Sequence, residues 1–165
     1  MNKIALVLAT VLLCSNSAQA KVPIAEIGKN KIKLEVAQTK EQIERGLMFR
    51  TSLPEDQGMI FLFRPPRPVR FWMFNCNISL DMCFIRDGKI VKISHNVPPC
   101  KSRNPQDCPL YPVDGEIEAS EVLELSSGYC ERHSVKEGDS IKFDLPGKAS
   151  KSESNSEAEK TELKK

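Results

Sequence analysis

The chain of 165 residues is short of histidine, of tryptophan and of net charge, and each shortage removes a class of function. His95 and His133 are the only histidines, neither stands at a zinc-like spacing from a cysteine pair, and no Cys-x-x-Cys occurs. The 24 basic residues are nearly cancelled by 22 acidic ones, leaving a net charge of +2 and no global pull toward nucleic acid or an anionic membrane. No GxGxxG, Walker loop, GxSxG or HExxH is present, and no internal repeat is visible. No cofactor and no metal are therefore expected. The length excludes two large domains, while a hydrophobic fraction of 40% is enough for one core.

What is there begins with an export signal. Met1-Asn2-Lys3 gives a positive start, Ile4 to Cys14 an apolar run, and Ala18-Gln19-Ala20 the small-x-small pattern of a signal peptidase site. Cleavage is expected after Ala20, with a mature chain starting at Lys21 in the periplasm or outside the cell. The apolar run is shorter than the roughly 20 residues that span a bilayer, so no stable membrane insertion is expected after cleavage. A retained anchor and a lipid on Cys14 are the competing readings; the second is disfavoured by Leu13, where lipid attachment wants a small residue.

Removal of Cys14 leaves Cys76, Cys83, Cys100, Cys108 and Cys130 in an oxidising compartment, an odd number that forces at least one out of intramolecular pairing. Cys100 and Cys108 bracket a polar segment that cannot pin itself by burial, and a disulfide between them is expected. Cys76 and Cys83 are seven apart, which in a continuous strand puts them on opposite faces, so no bond is expected there.

Lys31 to Val36 alternates charged and apolar residues with the period of a half-buried strand. Thr39 and Gln42 form a capping box before a helix from Lys40 to about Met48, in which Ile43 and Leu47 share a face. Met59 to Phe63 reads as a buried strand, and Pro65, Pro66 and Pro68 make Arg64 to Val69 an extended connection. Phe71 to Phe74 resumes strand character. Asp87-Gly88 is a hairpin turn between strands at Leu80–Ile85 and Lys89–Ser94. Residues 98–115 form a long loop, Val122 to Leu125 another strand, Ser127 to Arg132 a helical turn, and Ser140 to Leu145 a closing strand. The layout is a signal at 1–20, a lead-in at 21–30, a single β-rich domain at 31–145, and a polar tail at 146–165 with too little apolar surface to order itself.

The segments Arg45-Gly46-Leu47-Met48-Phe49-Arg50, Gly58-Met59-Ile60-Phe61, Phe71-Trp72-Met73-Phe74-Asn75 and Leu80-Asp81 are followed by Val97-Pro98-Pro99-Cys100, Cys108-Pro109-Leu110-Tyr111, Val122-Leu123-Glu124-Leu125, Ser127-Gly128 and Gly138-Asp139. Together they resemble the prokaryotic family known as domain of unknown function 192, over about residues 32–143. The resemblance implies a mainly β fold, a single compact small barrel or sandwich with one short α-helix, and an exported or anchored location in many members. It implies no established activity. The chain departs from the family at Cys76, where the usual pair is Asn-Thr, and at Cys130, where a small residue such as alanine is common.

Four residues of the densest stretch form the candidate ligand site: Trp72 as a stacking face, with Arg45, Asn75 and Asp81 as polar groups. Each has a structural alternative: Trp72 as core, Arg45 and Asp81 as an ion pair, Asn75 as a turn residue. Parity also sets Asp81 opposite Leu80, Met82 and Phe84. The function expected first is a binding or accessory module for a small polar or carbohydrate-like ligand. The second is a structural or protein-interaction module whose loop at 98–115 docks an envelope protein. The third is a hydrolase-like enzyme using Asp81 with Glu124 as an acid/base pair and Cys83 as nucleophile.

Overall fold

The computed structural model describes residues 21–145; the expected signal, Cys14 and the polar tail lie outside them. In chain order the strands are β1 (Ile24–Ile27), β2 (Asn30–Ala37), β3 (Gln57–Val69), β4 (Phe71–Trp72), β5 (Leu80–Arg86), β6 (Lys89–Val97), β7 (Leu110–Tyr111), β8 (Ile117–Ser126) and β9 (Ile141–Asp144). Two short helices, α1 (Lys40–Arg45) and α2 (Tyr129–Arg132), and a single 3-10 turn at Pro105–Asp107 complete the fold.

Alternation decides the first strands. Ala25 and Ile27 of β1 and Ile32 and Leu34 of β2 are buried, while the charged residues between them face out. Residues 21–30 are thus more than a lead-in: β1 pairs antiparallel with both β2 and β9. The capping box starts α1, with Thr39 Oγ1 accepting from the Gln42 N–H at 3.3 Å and Gln42 Oε1 accepting from the Thr39 N–H at 3.0 Å. The helix stops at Arg45, three residues before its expected end, because Gly46 turns to a φ of 44°. A side chain there would also crowd the Phe61 ring, 3.3 Å from where its Cβ would sit. This compact crossover lets β2 and β3 run parallel.

The prolines do not end β3. The strand runs 13 residues, and its ladder with β8 breaks between Leu62 and Arg67, so Pro65 and Pro66 occupy an irregularity where no N–H is required. Asp87 and Gly88, with φ of 52° and 71°, make the two-residue turn from β5 to β6.

Seven strands form one sheet in the order β6-β5-β8-β3-β2-β1-β9, and β4 pairs with β7 in a small second sheet. The large sheet curls until its two edges meet at a corner. There the Ile90 N–H reaches the Asp139 carbonyl and the Ile141 N–H the Gly88 carbonyl, each at 2.9 Å. The result is a half-barrel, mainly β as expected. Apolar residues fill both faces. Inside the curl lie Ile32, Ile60, Cys83, Ile85, Leu123 and Leu125, capped by Tyr129 and Cys130 of α2. On the outer face of β3, β5 and β8 lie Phe61, Met82, Phe84 and Val122, roofed by Leu47 and Met73 from the segments after α1 and β4.

Candidate functional site

The roof over the outer face is incomplete, and the gap is a cleft of about 430 Å³. Its position follows from one ring. Phe71 meets Phe61 edge-on at 4.9 Å and Phe63 and Phe84 at 6.2 Å, which anchors β4 to the sheet. Strand alternation then turns the neighbouring Trp72 outward, where it lines the cleft with 40% of its surface exposed. The end of α1 and residues 46–48 form the facing wall, so Arg45 shares the cleft with Trp72.

At the base lies Glu124 of β8, only 4% exposed. Its carboxyl has no hydrogen-bond or ion-pair partner among the described residues, and burial alone pushes its pKa up to about 8. At neutral pH it is a carboxylic acid with an O–H to donate. Cys76 stands beside it, its thiol pushed up to about 12 by burial and by the Glu124 charge, and is therefore protonated and unreactive as a nucleophile. Three guanidiniums ring the opening. Arg45, Arg67 and Arg70 have no carboxylate within ion-pair distance among the described residues; Arg67 lies over the Phe63 ring at 4.9 Å, and Arg70 donates to the carbonyls of Leu110 and Pro112. Glu44, the other acid of the lining, is 3.8 Å from Lys40.

Of the four expected site residues the structure brings Arg45 and Trp72 together and separates Asp81 from them. On β5 Asp81 shares its face with Cys83 and Ile85, inside the curl, whereas the cleft opens on the face of Met82 and Phe84. Asp81 is fully buried and accepts three backbone N–H groups, from Asn96 at 2.8 Å, Gly128 at 3.1 Å and Cys130 at 2.9 Å. It ties α2 and the end of β6 to β5, leaving neither an ion pair with Arg45 nor a free oxygen edge for a ligand. Asn75, at a φ of 56°, lies between the lining residues Phe74 and Cys76 but outside the lining; its carbonyl accepts the Phe49 N–H at 2.8 Å. That is the turn role.

The Asp81 and Glu124 pair fails for the same reason of parity: Asp81 stands opposite Leu125 in the ladder, and Glu124 opposite Met82. The two carboxylates lie on opposite faces. Cys100 and Cys108 are joined in a disulfide with Cα atoms 5.6 Å apart, and the Cys100 N–H bonds the Met73 carbonyl at 3.1 Å, which fastens the long loop to the segment after β4. That loop is not featureless, since its β7 pairs with β4 and so backs the Trp72 wall. No helix of the described residues is long and apolar enough to cross a membrane.

A curled half-barrel with an aromatic cleft on its convex face defines the structural class. Within it, the model of the domain of unknown function 192, described as uncharacterized ACR, matches residues 23–143, and the chain belongs to that family. The chain is similar to two crystal structures of the same fold. One is a protein of unknown function from Novosphingobium aromaticivorans, 31% identical with a TM-score of 0.63, covering 73% of this chain and 83% of that one. The other, from Sinorhizobium meliloti, is described as a candidate transcription regulator; it is 32% identical with a TM-score of 0.61, covering 73% of this chain and 91% of that one. No curated protein matches.

Proposed function

We propose that this protein is an exported binding module that holds a small polar molecule bearing an anionic group in the cleft between Arg45 and Trp72. The observation that carries the reading is Glu124: a carboxyl 4% exposed, without a partner among the described residues, at the base of a cleft. Burial disfavours the ionised form of this carboxyl, and a ligand that accepts its proton in a hydrogen bond supplies a partner that no described residue offers. The arginines supply the charge preference, because three guanidiniums ring an opening that only Glu44 counters. The aromatic wall supplies contact area for an apolar body. Export to the periplasm or beyond rests on the leader at Lys3, Ile4 to Cys14 and Ala18 to Ala20. The regulator description of the Sinorhizobium protein is not carried over, since the net charge of +2 supplies no electrostatic footprint for nucleic acid.

Trp72 is the sole tryptophan, so its fluorescence reports on the cleft directly. Titration with succinate, benzoate and inorganic phosphate against glucose tests the reading. A saturable change with at least one anion and none with glucose is expected, and Arg45→Ala should weaken it about tenfold, equivalent to about 1.4 kcal/mol. Silence toward every anion, or an equal response to glucose, contradicts it.

A further inference from the structure

On the other face of the sheet, away from the cleft, two cysteines meet. The Sγ atoms of Cys83 on β5 and Cys130 on α2 are 3.5 Å apart, and both residues are fully buried in the core inside the curl. From this geometry we infer that Cys83 and Cys130 form a second disulfide of the mature protein, leaving Cys76 as the single thiol.

The backbone around the pair is already held for a bond. Asp81, two residues before Cys83 on the same face of β5, accepts the N–H of Cys130 at 2.9 Å, and the Cys130 carbonyl accepts the Val135 N–H at 2.8 Å. The two side chains therefore project toward each other from anchored positions. A bonded pair needs sulfurs at about 2.05 Å, so the gap closes by about 1.5 Å, a distance within reach of side-chain rotation. Parity gives each cysteine a distinct fate. Cys83 faces the interior of the curl, whereas Cys76 borders the cleft on the outer face, so Cys76 cannot compete for Cys130. The five cysteines after Ala20 then resolve into Cys100–Cys108, Cys83–Cys130 and one thiol.

The oxidant is a small-molecule or protein disulfide of the compartment. Cys83 as thiolate attacks one of its sulfurs, the oxidant's S–S bond breaks, and one thiolate leaves. Cys130 as thiolate then attacks the Cys83 sulfur of the mixed disulfide and displaces the second. Two protein thiols give up two protons and two electrons, and the oxidant leaves as two thiols. Both sulfurs are inaccessible in the folded chain, so exchange precedes closure of the core. Histidine and carboxylate lie near as well: ligand atoms of Asp81, His95 and Cys130 fall within 4.8 Å of one another. With Asp81 committed to three N–H groups, the geometry favours the covalent pair over a metal.

The test refolds the reduced, denatured full chain in a glutathione redox buffer, quenches and unfolds it in denaturant with an alkylating agent so that buried thiols are also blocked, and maps unreduced peptides by mass spectrometry. The expected result is a peptide linking Cys83 with Cys130, a second linking Cys100 with Cys108, and alkylation confined to Cys14 and Cys76. Cys130→Ala should release Cys83 as one additional alkylated thiol in chain of native circular dichroism. Where refolding yields insoluble chain, the same mapping is made on folded protein purified from the periplasm of a bacterial host. Recovery of Cys83 and Cys130 both alkylated from folded, oxidised protein overturns the inference, as does a stoichiometric zinc ion bound with the two thiols free.

Discussion

Asp81 and Glu124 occupy neighbouring strands, one residue out of register, and that single step places their carboxylates on opposite faces of one sheet. Asp81 points into the curl and is spent on three backbone N–H groups; Glu124 points out and is spent on nothing. An acidic side chain is a structural anchor in one position and an unpaired carboxyl at a cleft in the other.

Removing the anchor should cost heavily. Asp81→Ala leaves three N–H groups in the interior without their acceptor, a loss of about 3 kcal/mol or more in urea unfolding, and Asp81→Asn should fall between it and the wild type. An Asp81→Ala protein as stable as the wild type would refute the anchoring role.

Glu124 should make stability depend on pH. Its folded pKa of about 8 lies above the ordinary 4.5, so the folded chain binds a proton that the unfolded chain has released. Stability should therefore fall as pH rises from about 4.5 and level off above about 8. Glu124→Gln should flatten that slope, read from urea midpoints between about pH 5 and about pH 9, the window set by the two values. An unchanged slope would place the proton elsewhere.

Gly58 lets β8 come close at the level of Glu124. A Cβ there would lie 2.9 Å from the Glu124 carbonyl oxygen and 2.9 Å from the Leu125 side chain. Gly58→Ala should force the strands apart and destabilise the fold by about 1 to 3 kcal/mol. Thermal unfolding checks it.

The Cys100–Cys108 link holds a loop that supplies β7 behind Trp72. Cys108→Ser should lower stability by roughly 2 to 3 kcal/mol and raise proteolysis within residues 98–115. Equal protease resistance in the variant would show that the loop is held without the bond.

Much of the fold was legible because local rules fixed it. The capping box at Thr39 and Gln42, the turn at Asp87-Gly88 and the alternation of Lys31 to Val36 each depend on residues within a few positions, and each stands where expected. The passage of β3 through its prolines was not legible, since a broken ladder depends on the register of a strand some fifty positions away. At the site, Arg45 and Trp72 were legible as types suited to a ligand. Glu124 entered only in the third reading, as an acid/base partner of Asp81, because spacing along two strands does not reveal their relative register. One signal was available: an acid at the outward parity of Val122 to Leu125, amid apolar neighbours, is a carboxyl without a place in solvent.

The central claim is that the cleft holds a small acid, and untargeted mass spectrometry of molecules that co-purify with the folded protein tests it most directly. Wild-type protein should retain one anionic compound near equimolar amounts, and Trp72→Ala and Arg45→Ala, both folded by circular dichroism, should lose it. A preparation with no enriched small molecule, or one retained equally by all three proteins, would contradict the account.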